Sequence, residues 1–348
     1  MNKKVFLGMS GGVDSSVSAL LLKDQGYDVT GVYMKNWSED LPGMKCPWAE
    51  DLADAKRVAV SLDLDFVVWD FEKVVDYMLA EFQKGRTPNP DIMCNEEIKF
   101  KLFYERAMAE GADYIATGHY ARVGAEKEYL AGDSPACEGV RSSLASMQCA
   151  KPVKTGLSDT SLASTESRPL GCALLRAKDE NKDQTYFLYR MSEEATARTL
   201  FPVGSMLKPE VKALASERGL DVARKKESMG VCFVGEVGMK DFLREYLDAQ
   251  PGEIRDIAND AVIGYHDGAI FYTIGQRHGL YLGGGLPYYV VRKDLERNLV
   301  YVSRNLNDAN LWARELNLEN LKLRAPLPAS GQIEVRLRHR APLIPAKF

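Results

Sequence analysis

The chain has 348 residues, 45% of them apolar, a net charge of −4 and six cysteines. That length supports two or three domains with ample core, and the mild acidity excludes capture of nucleic acid by a global basic field, so any RNA binding needs local basic patches. Irregularly spaced cysteines without a secretory leader point to reduced thiols in a cytoplasmic protein. No apolar run approaches the length of a membrane span, so no membrane partner is expected.

Through the first 120 residues, strand and helix patterns alternate. Strands are expected at 5–9, 29–34, 66–70 and 114–117, and helices at 15–25, 49–62, 71–84 and 96–110. Such alternation gives an α/β fold, a doubly wound and mostly parallel sheet covered on both faces, with ligands at the carboxyl ends of the strands. From 131 to 172 the chain is rich in Ser, Ala, Thr, Gly and Pro and has little apolar periodicity. It is expected to be a disordered surface insertion, with Cys137, Cys149 and Cys172 as incidental thiols. A helix at 209–219, the basic cluster Arg224-Lys225-Lys226 and a short helix at 241–247 follow. Beyond Pro251 the pattern turns β-like, with strands expected at 270–273, 288–292 and 299–303 and two or three more between 312 and 340. The expected division is a catalytic domain at 1–238, a β-rich central domain at 239–308 and a C-terminal β domain at 309–348.

Chemistry concentrates in a few places. In Ser10-Gly11-Gly12-Val13-Asp14-Ser15-Ser16 a strand runs into two glycines and a helix opens at once, so the serines and the first helix amides face one point suited to an anion. The loop lacks the Gly-Lys-Ser/Thr ending of a Walker motif. Cys94 follows Thr87-Pro88-Asn89-Pro90-Asp91 and is expected to open a helix, whose dipole would favour its thiolate; the alternative is a small buried hydrophobe. Cys232, in a glycine-bounded apolar stretch at 228–235, reads by itself as a core thiol. Arg336, Arg338 and Arg340 alternate as on one face of a strand, either solvated or RNA-binding.

These stretches resemble known families. The loop is similar to the pyrophosphate-releasing loop of the PP-loop ATP pyrophosphatase superfamily, whose adenine nucleotide alpha-hydrolase-like domain splits ATP into AMP and pyrophosphate to activate a carbonyl oxygen. More of the chain resembles the tRNA-specific 2-thiouridylases, which replace the 2-oxygen of the wobble uridine with sulfur. The matching stretches are 8–16, Met34-Lys35-Asn36-Trp37, G-R-T-P-N-P-D-I-M-C-N-E-E-I-K-F at 85–100, T-G-H-Y-A-R at 117–122, 182–189, 201–204, 230–235 and T-I-G-Q-R-H-G-L at 273–280.

The resemblance implies that Gly8, Met9, Ser10, Gly11, Gly12, Val13, Asp14 and Ser15 bind ATP, with Met34 and Gly118 beside the adenosine. Mg²⁺ would accompany the phosphates with help from Asp14. Cys232 would carry sulfur as a persulfide, Cys94 would be the nucleophile, and a transient Cys94–Cys232 disulfide would form. Asp91 would be the acid/base, and Asn89, Pro90 and Asp91 would meet the flipped-out uridine. His119, Lys182, Asp183, Gln184, Arg338 and His339 would contact the tRNA. The implied partners are tRNAs of the Lys, Glu and Gln anticodon type and a persulfide donor, either a cysteine desulfurase or a sulfur-relay protein. Two places depart from the family pattern: the insertion at 131–172, and a C-terminal β-barrel expected to be truncated. Two rivals stand beside this reading. Another PP-loop pyrophosphatase forming amides has no need of paired cysteines, and against an inactive tRNA-binding scaffold speak the loop, Asp91 and both cysteines.

Overall fold

Side-chain alternation along β1 (Lys4–Gly8) sends Val5 and Leu7 to one side of a sheet and Phe6 to the other, all three buried. Val5 and Leu7 join Val13, Val17 and Leu22 of α1 (Val13–Asp24) and Val58 of α2 (Trp48–Ser61) in one apolar layer. Phe6 belongs to the other layer, stacked on Trp69 at 5.4 Å between ring centroids, with Val32 and Phe103 beside it. The computed structural model describes residues 2–35, 48–71, 74–125, 172–225, 239–283, 285–324 and 327–348.

The first sheet runs β3-β2-β1-β4-β7, all parallel, with β2 at Asp28–Lys35, β3 at Asp65–Asp70, β4 at Tyr114–Thr117 and β7 at Thr199–Leu200. The chain moves outward from β1 to β3 and then returns to the far side of β1, so a topological switch point opens at the carboxyl ends of β1 and β4. Beyond β3 come α3 (Val74–Gln83), then a continuous helical run made of α4 (Pro90–Met93), a π-helical segment (Cys94–Leu102) and α5 (Phe103–Ala109). An antiparallel pair, β5 (Ala121–Ala125) with β6 (Cys172–Arg176), had no sequence expectation. Cys172, placed by the sequence reading in the unstructured insertion, is the first residue of β6 and pairs with Ala125; the rest of that insertion lies outside the described residues. Later come α6 (Glu193–Ala197) and α7 (Lys208–Glu217).

The central region holds α8 (Met239–Arg244) and a sheet of order β10-β11-β8-β9, with β8 at Gly252–Asp256, β9 at Val262–His266, β10 at Tyr289–Asp294 and β11 at Leu299–Ser303. The strand expected at 270–273 is instead a 3₁₀ turn, Ala269–Phe271. Ala269 and Phe271 are buried and Ile270 partly so, with Phe271 and Tyr272 in the same core layer as Phe6 and Phe103, so burial in a turn had the composition of a strand. That shared layer also packs the central region against the parallel-sheet domain. In the C-terminal region β12 (Gln332–Val335) pairs with β13 (Ile344–Lys347). The strand expected to carry Arg336, Arg338 and Arg340 stops at Val335, and the chain turns with Ala341 N–H on Arg338 O at 3.0 Å and Arg340 at φ 61°. The three arginines therefore share no strand face. Among the described residues no helix is long and apolar enough to cross a membrane.

Candidate active site

The loop after β1 turns at Gly11, whose φ is +71° and where a Cβ would lie 2.3 Å from Asp51 O. Gly12 is the extended N-cap of α1 and no side chain caps that helix, which leaves its first amides to face an anion. Ser15 and Ser16 donate their hydroxyls to Gly12 O at 3.1 and 2.9 Å, and Ser10 N–H reaches Ser15 Oγ at 3.3 Å. Gly118, just past β4, sits against this turn so closely that a Cβ would be 2.7 Å from Ser15 N and 2.9 Å from the Asp14 carbonyl carbon. Met34, at the end of β2, covers Gly8 with its Cε 2.8 Å from where a Cβ would be. The switch point thus gathers Gly8, Ser10–Ser16, Met34 and Gly118. Gly118→Ala is expected to push the loop away, lowering stability by about 1–3 kcal/mol and raising KM for ATP; chemical denaturation and ATP kinetics check both.

Sequence reasoning missed the cation beside this loop. Lys208, at the start of α7, is 2.7 and 2.8 Å from the two Asp14 carboxylate oxygens, and Tyr120 Oη donates to Asp14 Oδ1 at 2.9 Å. The Lys208 side chain is 8% exposed, its own N–H held by Asp179 Oδ2 at 2.8 Å. An ammonium on both oxygens already balances the Asp14 charge, while about a third of the side chain stays open to solvent. A lysine directly before a proline at a helix start was the one available signal, far from Asp14 in sequence.

The segment with Asp91 and Cys94 corrects another expectation. The helix starts at Pro90, not Cys94, and Asn89 caps it, its Oδ1 accepting from the N–H groups of Asp91 and Ile92 at 3.1 and 3.2 Å. Cys94 therefore lies one turn inside, its N–H directed to Asp91 O and Pro90 O, and it is 2% exposed among core residues. The helix terminus does not act on its sulfur. At Cys94 the helix widens, and Phe103 N–H reaches back to Ile98 O, five residues earlier. Lys99, in this segment, lies close enough to Asp91 and His119 for its charge to act on both. Burial raises the Asp91 pKa, while the charges of Lys99 and His339 pull it down. Lys99→Met is therefore expected to move Asp91 further up and carry the acidic limb of the pH–rate profile with it; an unmoved limb would remove Lys99 from this role.

His119 joins the two halves. Its Nδ1 is 2.8 Å from Thr117 Oγ1, its ring lies 5.9 Å from Phe100 of the π-helical segment, and its pKa is held well below the usual histidine value by burial and then by Lys99. A chain of contacts thus runs from the Asp91–Cys94 helix through Phe100 and His119 to Gly118 and Ser15. Asp183 faces inward, accepting from Ala177 N–H at 3.0 Å and Thr185 Oγ1 at 2.8 Å, and is buried. Gln184 pairs with both backbone groups of Tyr120 at 2.9 Å. These two hold the 178–185 loop on the strand ends, so Asp183 has no face for RNA. The turn with Arg338 and His339 closes on the same loop: Tyr186 Oη donates to Leu337 O at 3.1 Å, the His339 ring is 4.6 Å from Phe187, and Arg340 bonds Asn181 O at 2.7 Å. Cys232, with 226–238, and Asn36-Trp37 lie outside the described residues, as do Cys137 and Cys149.

A glycine-rich loop and uncapped helix at the switch point of a parallel sheet define a nucleotide-binding α/β protein of the PP-loop kind. Family comparison agrees: the profile "tRNA methyl transferase HUP domain" matches residues 3–134 and 147–236, and "tRNA methyl transferase PRC-barrel domain" matches 240–304. The tRNA-specific 2-thiouridylase MnmA of Bacillus cytotoxicus is 44% identical over 324 residues, 91% of this chain and 76% of that protein. That of Bacillus mycoides is 43% identical over the same shares. The chain belongs to the tRNA-specific 2-thiouridylase family. Among solved structures, the U34-tRNA thiolase NcsA from Methanococcus maripaludis aligns over 66% of this chain and 60% of its own, at 16% identity and a TM-score of 0.36, too distant to argue from.

Proposed function

We propose that this protein is an ATP-dependent sulfurtransferase that makes 2-thiouridine at the wobble position of tRNA. The observation that carries the reading is the joining of two chemistries at one switch point: an anion-binding loop at Ser10–Ser16 and, through His119 and Phe100, the helix with Asp91 and Cys94. The C2 carbonyl of uracil is a poor electrophile and oxide a very poor leaving group. The α1 amides would hold the phosphates of ATP while the uracil 2-oxygen attacks the α-phosphorus and pyrophosphate departs. Mg²⁺ would come bound to the triphosphate and neutralise part of its charge.

The terminal sulfur of a Cys232 persulfide then bonds to C2, and the C2–O bond breaks with AMP as leaving group. Cys94 attacks the inner sulfur of Cys232, breaking the S–S bond, so that the new sulfur stays on the base and a Cys94–Cys232 disulfide remains. A two-electron thiol reductant resets the pair. Asp91, with its raised pKa, would handle the proton near the base. His119, Lys182 and Arg338 are the proposed tRNA contacts, with Asn89 and Pro90 bordering the flipped uridine. The proposed donor is a persulfide on a cysteine desulfurase or relay protein, and the proposed compartment is the cytoplasm. We divide the chain at 238 and 308, the first part holding both chemistries.

Pyrophosphate release tests the reading. It is expected to require ATP and a tRNA with an unmodified wobble uridine. Release driven by a small acid and an amine without tRNA would favour the amide-forming alternative, and tight tRNA binding without release would favour a scaffold.

A further inference from the structure

The stretch T-I-G-Q-R-H-G-L at 273–280 has no part in the chemistry above. In the structure it faces the segment that leads into the Asn89 cap. Thr273 Oγ1 lies 2.9 Å from Thr87 Oγ1, and Lys293 of β10 donates from Nζ to Gly85 O at 3.0 Å. Leu295, just past β10, fills the space beside Gly85, where φ is +74° and a Cβ would be 2.2 Å from Leu295 Cδ1. Burial lowers the Lys293 pKa, consistent with a side chain reaching into the boundary between the two regions.

The gripping side is braced. Gln276 Oε1 accepts from Thr273 N–H at 3.0 Å, Gly275 N–H reaches Val290 O at 2.7 Å, and Val290 N–H reaches Gln276 O at 2.9 Å. The 273–276 turn and β10 therefore move as one piece. The gripped side is also fixed at its start, with Gly85 N–H on Phe82 O at 2.8 Å and Arg86 N–H on Glu81 O at 3.0 Å. Only Thr87 and Pro88 separate Arg86 from Asn89. A shift of the clasp would pass through them to the cap, and so to Asp91 and Cys94. The phosphate loop is built by β1, α1 and β4, with none of these contacts.

We propose that Thr273, Lys293 and Leu295 of the central region are positioning residues for sulfur transfer: they clasp residues 85–87 and so set where Asp91 and Cys94 stand relative to the phosphate loop. The inference rests on the sulfur-transfer role proposed above for Asp91 and Cys94. A displacement of about 1 Å in a reacting group can cost on the order of a hundredfold in rate, so loosening the clasp touches kcat before it touches ATP binding.

The test uses the full chain with unmodified tRNA, ATP and a small-molecule persulfide, comparing Lys293→Met, Thr273→Val and Lys293→Arg with the starting protein. Expected for the first two are a fall of roughly ten- to a hundredfold in kcat for 2-thiouridine, a KM for ATP within about twofold, and faster amide exchange across 86–93. Arginine at 293 keeps a donor and is expected to recover most of the rate. Unchanged kcat and exchange in both variants, with unchanged melting, would overturn the proposal. So would a loss of ATP affinity and kcat in step with a lowered Tm, which marks mere structural damage. Thr273→Val removes a single hydroxyl and keeps the test alive if Lys293→Met does not fold. If the starting protein makes no 2-thiouridine, the functional reading fails separately, and exchange at 86–93 alone decides whether the clasp exists.

Discussion

Cys94→Ala is expected to lower 2-thiouridine formation by roughly a thousandfold or more while leaving tRNA-dependent pyrophosphate release in place. The reason is spatial. In the proposed scheme adenylation uses the loop at the ends of β1 and β4, whereas Cys94 sits inside the adjoining helix, linked to the loop among the described residues through Phe100 and His119. Alanine is the better probe than serine, because Cys94 is 2% exposed among Ile98, Phe100 and Phe103. Serine would set a more polar group among these apolar side chains, which would blur chemistry with stability. The same split between release and thiolation is expected for Cys232→Ser, whereas Cys172→Ser on β6 is expected to change neither. Sulfur in the tRNA at the normal rate from Cys94→Ala, in a single turnover with a persulfide donor, would break the two-cysteine scheme.

The second large effect concerns Asp14 and Lys208. Asp14→Asn leaves the Lys208 ammonium, 8% exposed, facing a neutral amide, while Lys208→Met leaves Asp14 with Tyr120 and solvent on its 31%-exposed side. Breaking a fully buried pair costs about 3–5 kcal/mol; partial exposure of Asp14 brings the expected loss to roughly 2 kcal/mol, larger for Asp14→Asn than for Lys208→Met. Both are expected to slow pyrophosphate release at least tenfold, because the pair pins the first turn of α1, whose uncapped amides are the proposed phosphate grip. A double-mutant cycle read by urea denaturation is expected to give a coupling of about 1–3 kcal/mol. Additive losses, or normal release by either single variant, would show that the pair does not organise the loop.

The parallel sheet was legible in the sequence because period-2 and period-3.6 patterns each state a local rule. The expected strand at 114–117 agrees with β4, and the expected 5–9 differs by a residue at each end from β1. The phosphate loop was legible for the same reason, since two glycines between a strand and a helix carry their chemistry in one stretch. What failed was whatever depends on contacts between distant segments. Nothing near Asp14 announces Lys208, and nothing near Thr87 announces Thr273. Pro88 and Pro90 read as a loop and put the expected helix start too late, whereas proline is well tolerated in the first turn and Asn89 supplies the cap. Only alternation puts the arginines at 336–340 on a strand, and a turn can imitate it over five residues. The 3₁₀ turn at Ala269–Phe271 shows the same ambiguity in apolar runs.

Sulfur transfer to tRNA is tested by nucleoside mass spectrometry of unmodified tRNA after incubation with this protein, ATP and a persulfide donor. Expected is 2-thiouridine at the wobble position only, with AMP and pyrophosphate formed in equal amount to the sulfur incorporated. ADP and phosphate as the products of ATP, sulfur at another position, or AMP formed with no sulfur in the tRNA would contradict the proposed function.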